Sequence, residues 1–219
     1  MLYRTVFESN RISLNNLFKE TKYLITGTNL LASDKSSEAL LFLVEYASKS
    51  GVSIVIDANW REIFWDNLEK SSQIQRQYHI QKIKKFLLNG DILKLSNEEA
   101  ILFFGNNNPL LISQSLSKKP DVIITNGDKP ISWFINGFQD TTKVLKSPRI
   151  VDTTGAGDSF LAGLISRFIN RKEDFDKDSL INHIQFASVC GLISCLGEGA
   201  IQPQPNINQV QDFLKLYGS

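Results

Sequence analysis

The chain has 219 residues, of which 42% are hydrophobic and 21% are charged, and this balance is typical of a globular protein with its own core. Its 24 basic and 23 acidic residues leave a net charge of +1 without a basic stripe, so nucleic acid is not an expected partner. The longest apolar run, residues 39–44, is too short to span a bilayer, and the first residues do not resemble a signal peptide, so no membrane partner is expected.

Apolar periodicity predicts strands and helices that alternate along the chain. This alternation is typical of an α/β fold with a mostly parallel sheet and right-handed crossovers. No repeat or linker divides the sequence, so residues 1–219 are predicted to form a single domain. The predicted elements, in chain order, are a strand at 22–27, a helix at 36–50 capped by Ser36 or Ser37, a strand at 52–58 that is buried on both faces, a helix at 73–88, a strand at 91–95, a helix at 97–105, a strand at 121–126, an edge hairpin at 131–137, a helix from Gly157 or Asp158, and helices at 178–196 and 206–217.

Polar residues follow several of these strands at the point where each one ends. Arg61 comes shortly after the strand at 52–58, and Glu98 and Glu99 follow the strand at 91–95. In open α/β sheets, ligands bind at the carboxyl ends of the strands. Taken singly, Arg61 also suits a surface ion pair and the two glutamates also suit a helix N-terminus. Their common position at one edge favours a binding site.

The stretch VDTTGAGDSF, residues 151–160, places two glycines at the start of a predicted helix. Unpartnered amide N–H groups and the helix dipole make such a glycine-rich entry suitable for an anion. A carboxylate at Asp158 would repel a phosphate there unless it accepts a proton during a reaction. The alternative interpretation is that Asp158 caps the helix and the glycines form a turn.

Motifs in several places carry a family resemblance. They are DANWREIFW at 57–65, LKLSNEEA at 93–100, IITNGDK at 123–129, DTTGAGDSFLAGL at 152–164 and FASVCGLISCLGEGAIQPQP at 186–205. In this order they resemble the PfkB (ribokinase-like) carbohydrate kinase family, and they are most similar to fructokinases of cyanobacterial and chloroplast type.

The resemblance implies a ribokinase-like three-layer α/β/α fold with a mostly parallel central sheet. Family chains begin with a further part, about 100 residues by comparison of length, that contains much of a β-sheet lid. The resemblance therefore implies a chain that is truncated at its N-terminus and largely lacks the lid, with residues 1–9 as a remnant of a lid strand.

The resemblance also implies a reaction: the ATP-dependent phosphorylation of a sugar hydroxyl, with fructose converted to fructose 6-phosphate. Asp158 matches the general base, and the amides of Gly155, Ala156 and Gly157 match the anion hole. Asp158 would also face the sugar, together with Asn59 and Arg61.

Nucleotide and metal positions carry over from the same motifs. Glu99 matches a carboxylate that acts on Mg²⁺ through water, and Asp152 and Thr154 match positions beside a monovalent cation, for which K⁺ is the candidate. Ser96 stands where the family motif has asparagine, and Pro130 stands where it has a later glycine. The residues matched to nucleotide binding are Ser96, Thr125, Gly127, Lys129, Gly199 and Ala200.

Two alternatives remain beside a fructose kinase. One is a catalytically inactive, truncated kinase-like protein that binds nucleotide or a partner chain. The other is a kinase of a different sugar or a nucleoside, similar to ribokinases or adenosine kinases. The expected partners are ATP and a small sugar, with a homodimer as one assembly. Cys190 and Cys195 are expected to be buried thiols in a cytoplasmic protein, or in the plastid stroma for a plant-like lineage.

Overall fold

A computed structural model of the chain describes residues 11–65, 73–147, 149–169 and 176–217. The predicted lid remnant at residues 1–9 lies outside the described residues. Contacts within the chain define two compact units, residues 1–124 and residues 125–219. The strands follow the order β1-β2-β3-β4-β5-β6, with bounds given below.

The first unit alternates strands with helices. Strands β1, β2 and β3 are parallel neighbours, and their register places Gly27 opposite Asp57 and Asp57 opposite Lys94. The side chains of β2 from Ile54 to Ile56 are fully buried, which confirms a strand covered on both faces. The elements are α1 (Arg11–Lys19), β1 (Tyr23–Gly27), a 3₁₀ turn (Thr28–Ala32), α2 (Asp34–Lys49), β2 (Ser53–Asp57), a second 3₁₀ turn (Glu62–Phe64), α3 (Gln73–Leu87), β3 (Ile92–Ser96), α4 (Asn97–Phe104), α5 (Pro109–Ser115) and β4 (Asp121–Asn126), whose last two residues belong to the second unit.

The second unit consists of a hairpin and three helices. Two glycines allow α6 and α7 to pack closely: a Cβ on Gly163 would lie 2.7 Å from the Sγ of Cys190, and a Cβ on Gly191 would lie 2.9 Å from the carbonyl oxygen of Ala156. The second contact fixes the start of α6 against α7. The elements are the antiparallel strands β5 (Lys129–Ile135) and β6 (Phe138–Thr142), followed by α6 (Ala156–Ile169), α7 (Lys177–Ser194) and α8 (Ile207–Tyr217).

The predicted strands and helices are confirmed with shifted ends, but the predicted cap of α2 is wrong. The helix begins at Asp34 and its N-cap is Ser33, so Ser36 and Ser37 lie inside the first turns. The Ser36 hydroxyl donates to the carbonyl oxygens of Leu30 and Ser33 instead of accepting from helix amides. The preceding 3₁₀ turn brings these carbonyls within its reach.

Both cysteines are free and buried, as predicted. Within the described ranges, no helix combines the length and the apolar character needed to cross a bilayer.

Candidate active site

A buried ion pair joins the carboxyl ends of β2 and β3 in the first unit. The Nζ of Lys94 donates to Asp57 Oδ1 at 3.1 Å and to Oδ2 at 3.0 Å. Lys94 is 7% exposed and Asp57 is 5% exposed, so little water reaches the pair. Both residues lie within the family motifs, DANWREIFW and LKLSNEEA, but their pairing was not predicted. A single charged residue inside each of two apolar strands was the available signal.

Glu99 connects the loop after β2 to the start of α4. Its Oε1 accepts from the amide of Trp60 at 2.5 Å, and its Oε2 accepts from the amide of Ser96 at 2.7 Å. The Ser96 hydroxyl in turn accepts from the amide of Glu99, which completes a capping box. Burial raises the pKa of Glu99, the two amide hydrogen bonds oppose that rise, and the nearby Asp57 carboxylate adds to it. Helix capping and a role toward a metal are therefore compatible in the same side chain.

Two of the three residues predicted to face the sugar, Asn59 and Arg61, lie together on the loop whose Trp60 amide donates to Glu99. Arg61 is exposed, and its Nε donates to the Oδ1 of the partly buried Asn59 at 3.2 Å. Asn59 has a φ of 38°, in the left-handed region that few non-glycine residues adopt. Backbone strain of this kind is concentrated at functional sites.

In the second unit, the GAG segment forms a tight entry to α6. Gly155 is buried with a φ of 81°, and a Cβ there would lie 2.9 Å from the Cβ of Ala200. Both its conformation and its close contact therefore require glycine. The Ala156 amide donates to the carbonyl oxygen of Thr153 at 3.2 Å, so it can serve an anion only if this bond is shared or lost. The partly buried amide of Gly157 follows in the first turn.

Asp158 is the third residue of α6 and is exposed. Among the described residues, no hydrogen bond or ion pair engages its carboxylate. The helix begins before Asp158, so this side chain does not act as the N-cap.

Asp152 connects the start of the DTTGAGD motif to the loop after α7. Its Oδ1 accepts from the amide of Thr154 at 2.9 Å and from the Thr154 hydroxyl at 2.7 Å, and its Oδ2 accepts from the amide of Gly199 at 2.9 Å. These hydrogen bonds hold the pKa of Asp152 below its ordinary value, and the one from the Thr154 amide has the largest effect. Three of the predicted site residues are thus in direct contact.

A cavity of about 520 Å³ opens beside the start of α6 within the second unit. Its lining is mostly apolar and includes four predicted residues, Thr125, Gly127 and, at the start of α6, Ala156 and Gly157. The other predicted site residues of this unit are not among the described lining residues; they are Lys129, Asp152, Thr154, Gly155, Asp158, Gly199 and Ala200. The remaining lining residues are Asp128, Ile131, Val144, Leu145, Lys146, Ser147, Ile150, Thr153, Phe160, Ser188, Gly191, Leu192 and Cys195.

The described side chains offer a limited set of metal ligands. No group of three or more His, Cys, Asp and Glu side chains that could hold a metal ion occurs in the part of the chain that the structure describes. The Glu99 carboxylate retains lone pairs that could accept hydrogen bonds from metal-bound water, which fits a magnesium ion that keeps its waters. Asp152 and Thr154 supply the oxygen atoms that a hard cation prefers.

Comparison with known proteins gives one family and one fold. Residues 5–207 match the pfkB family of carbohydrate kinases. The chain is 26% identical over 204 residues to the Arabidopsis thaliana protein named "Probable fructokinase-6, chloroplastic", a match that covers 91% of this chain and 51% of the relative. The chain therefore spans about half the length of that relative.

Two solved structures share the fold. Fructokinase from Xylella fastidiosa with bound ATP superposes with a TM-score of 0.79 at 19% identity, covering 92% of this chain and 64% of that one. Fructokinase from Vibrio cholerae with fructose, ADP and calcium gives a TM-score of 0.75 at 23% identity, covering 89% and 61%. At such identities the similarity shows the fold alone, which is ribokinase-like α/β as predicted.

Proposed function

The chain belongs to the pfkB family of carbohydrate kinases, and from this membership we propose that it transfers the γ-phosphoryl group of ATP to a sugar hydroxyl, with fructose as the preferred sugar. The Arabidopsis thaliana relative, which is named as a probable fructokinase, supports fructose over other sugars and nucleosides.

The observation that carries this proposal is the start of α6 beside the cavity. The amides at a helix N-terminus, a glycine that fits only without a Cβ, and an apolar cavity of about 520 Å³ occur together within the second unit. A nucleotide combines an apolar base with a polyphosphate. The apolar cavity suits the base, and the amides at the helix N-terminus suit the polyphosphate.

The proposed reaction uses Asp158 as the general base. The sugar oxygen attacks the γ-phosphorus while the bond from that phosphorus to the β,γ-bridging oxygen breaks, so that ADP leaves. Asp158 accepts the hydroxyl proton, and its lack of a partner among the described residues leaves its oxygens available for that proton. The amides at Gly155 and Gly157 stabilise the charge on the transferring group.

The cations are assigned to the oxygen groups already described. We assign Mg²⁺ to a position near Glu99, whose carboxylate would contact the ion through a water molecule. We assign a monovalent cation such as K⁺ to Asp152 and Thr154. Bound magnesium would neutralise charge on the ATP phosphates. Asn59 and Arg61 are assigned to the sugar, and the hydrogen bond between them holds both side chains in fixed positions.

Nucleotide binding without turnover is the second candidate. The nucleotide surfaces described above lie within the second unit, whereas only Asn59 and Arg61 are assigned to the sugar apart from the base itself. Binding of ATP without formation of a sugar phosphate would favour this candidate.

Calorimetric titration with ATP and Mg²⁺, followed by an assay of fructose-dependent ADP formation, tests both candidates. The first candidate predicts binding and turnover, and Asp158→Asn should then lower kcat by about 10²–10⁴-fold because an amide cannot accept the proton. ATP affinity should stay equal or rise slightly, since a negative charge near the polyphosphate is removed.

Asp178 provides a matched control, because it is also an acidic residue in the first turn of a helix of the second unit. Asp178→Asn should leave kcat unchanged. If Asp158→Asn keeps more than about a tenth of the wild-type kcat, Asp158 is not the base.

A further inference from the structure

An exposed ion pair lies at the edge of the cavity in the second unit. Lys146 Nζ contacts Asp128 Oδ2 at 2.9 Å, and the two side chains are 69% and 71% exposed. Both residues line the cavity: Asp128 directly follows Gly127 in the turn between β4 and β5, and Lys146 lies in the segment after β6. The pair therefore connects two separate segments of the cavity wall.

The chemistry of this pair is unusual beside a site for an anion. Asp128 places a negative charge on the wall of the cavity that the proposed nucleotide would enter, and Lys146 neutralises that charge. The hydrogen bond from Lys146 lowers the pKa of Asp128 from its ordinary value. Exposed pairs of this kind are weak and exchange readily with other partners.

A polyphosphate presents several negative charges and many acceptor oxygens, whereas Asp128 presents a single charge. An ammonium group with a flexible stem and three donors can reorient toward such a group, as lysines at phosphate sites do. The energy gained from the more highly charged partner exceeds that of a single screened carboxylate.

We propose that Lys146 is a further nucleotide-binding residue, which Asp128 holds in the free chain and which moves to the phosphates when a nucleotide enters the cavity. Asp128 thereby acts as an internal competitor that keeps ATP affinity below the value that the cavity would otherwise reach. This inference rests on the proposed function, because it requires ATP to bind at this cavity.

Two single substitutions should change ATP affinity in opposite directions. Lys146→Gln removes the cation and leaves Asp128 facing the phosphates, so the Kd for ATP should rise by about three- to ten-fold at low salt. Asp128→Asn releases Lys146 and removes repulsion, so the Kd should fall by about two- to five-fold. Both effects should shrink as ionic strength rises, because the groups are exposed.

Calorimetric titration of the 219-residue chain with ATP and Mg²⁺, and in parallel with adenosine, measures these shifts. Adenosine lacks phosphates, so both variants should bind it like the wild type. The exposed Lys177–Asp140 pair, at 2.7 Å in the same unit, contributes no residue to the described lining and serves as the control. Lys177→Gln and Asp140→Asn should leave ATP affinity unchanged.

Each result decides the question. Opposite shifts that occur for ATP but not for adenosine support the role of Lys146. If the wild type binds ATP but the two variants bind it equally well, or shift in the same direction, or shift adenosine equally, this role is wrong while the proposed function stands. If the wild type binds no ATP, both assignments fail together.

Discussion

Lys94→Met should destabilise the first unit far more than a surface lysine substitution would. The change keeps most of the apolar stem but removes the ammonium that contacts both oxygens of Asp57. Asp57 is only 5% exposed, so its carboxylate would be left buried without this partner. Removing one member of a buried ion pair typically costs about 3–5 kcal/mol.

The pair Lys118–Asp91 provides a control for this magnitude. It joins the same residue types within the same unit at 2.9 Å, but its side chains are 35% and 39% exposed. Water screens such a pair, so Lys118→Met should cost less than about 1 kcal/mol. The double variant Asp57→Asn with Lys94→Met should be less destabilised than Lys94→Met alone, because no uncompensated charge remains buried.

Urea unfolding followed by circular dichroism and tryptophan fluorescence measures the difference. If the free energy of unfolding falls by about 2 kcal/mol per molar urea, Lys94→Met should lower the urea concentration at the unfolding midpoint by about 1.5–2.5 M. A cost for Lys94→Met within about 1 kcal/mol of that for Lys118→Met would show that the pair is not effectively desolvated.

Three further predictions concern Gly155 and Glu99. Gly155→Ala should lower the free energy of unfolding in urea more than Gly199→Ala does, because both residues have a positive φ but only a Cβ at Gly155 would contact Ala200. Equal losses would show that this contact is not tight. Glu99→Gln should cost about 1–3 kcal/mol at pH 7 because an amide cannot accept both backbone hydrogen bonds, whereas the exposed Glu98→Gln should cost little. Because the pKa of Glu99 is raised, the folded chain binds the Glu99 proton more tightly than the unfolded chain does. The free energy of unfolding of the wild type should therefore fall, relative to that of Glu99→Gln, as the pH rises above about 4.5. A difference between the two proteins that does not change with pH would contradict the raised pKa.

Much of the fold could be predicted because the apolar patterns are strong. The strand predicted at 52–58 contains the continuous apolar run 54–56, and the helix at 207–217 has a clear amphipathic period. The short helix α5 was not predicted, although Asn108 before Pro109 is the N-cap and first-turn proline that mark a helix start. Strand β6 was also not predicted as a separate element, although Asn136-Gly137 at positive φ is a typical hairpin turn.

The candidate site could be predicted only where a motif is local. Gly155, Ala156 and Gly157 are contiguous with Asp158, so their common location follows from the sequence. The hydrogen bond from the Gly199 amide to Asp152 joins residues 47 positions apart, and no periodicity signals such a contact.

Three aspartates of the second unit differ in the hydrogen-bond and ion-pair partners of their carboxylates. Asp152 accepts hydrogen bonds at both oxygens, and these hold its pKa low and fix a loop. Asp128 is neutralised by Lys146. Asp158 alone of the three has no partner among the described residues. A carboxylate that is saturated with donors binds a further proton poorly, so this difference agrees with the proposal that Asp158, and neither of the other two, is the proton acceptor.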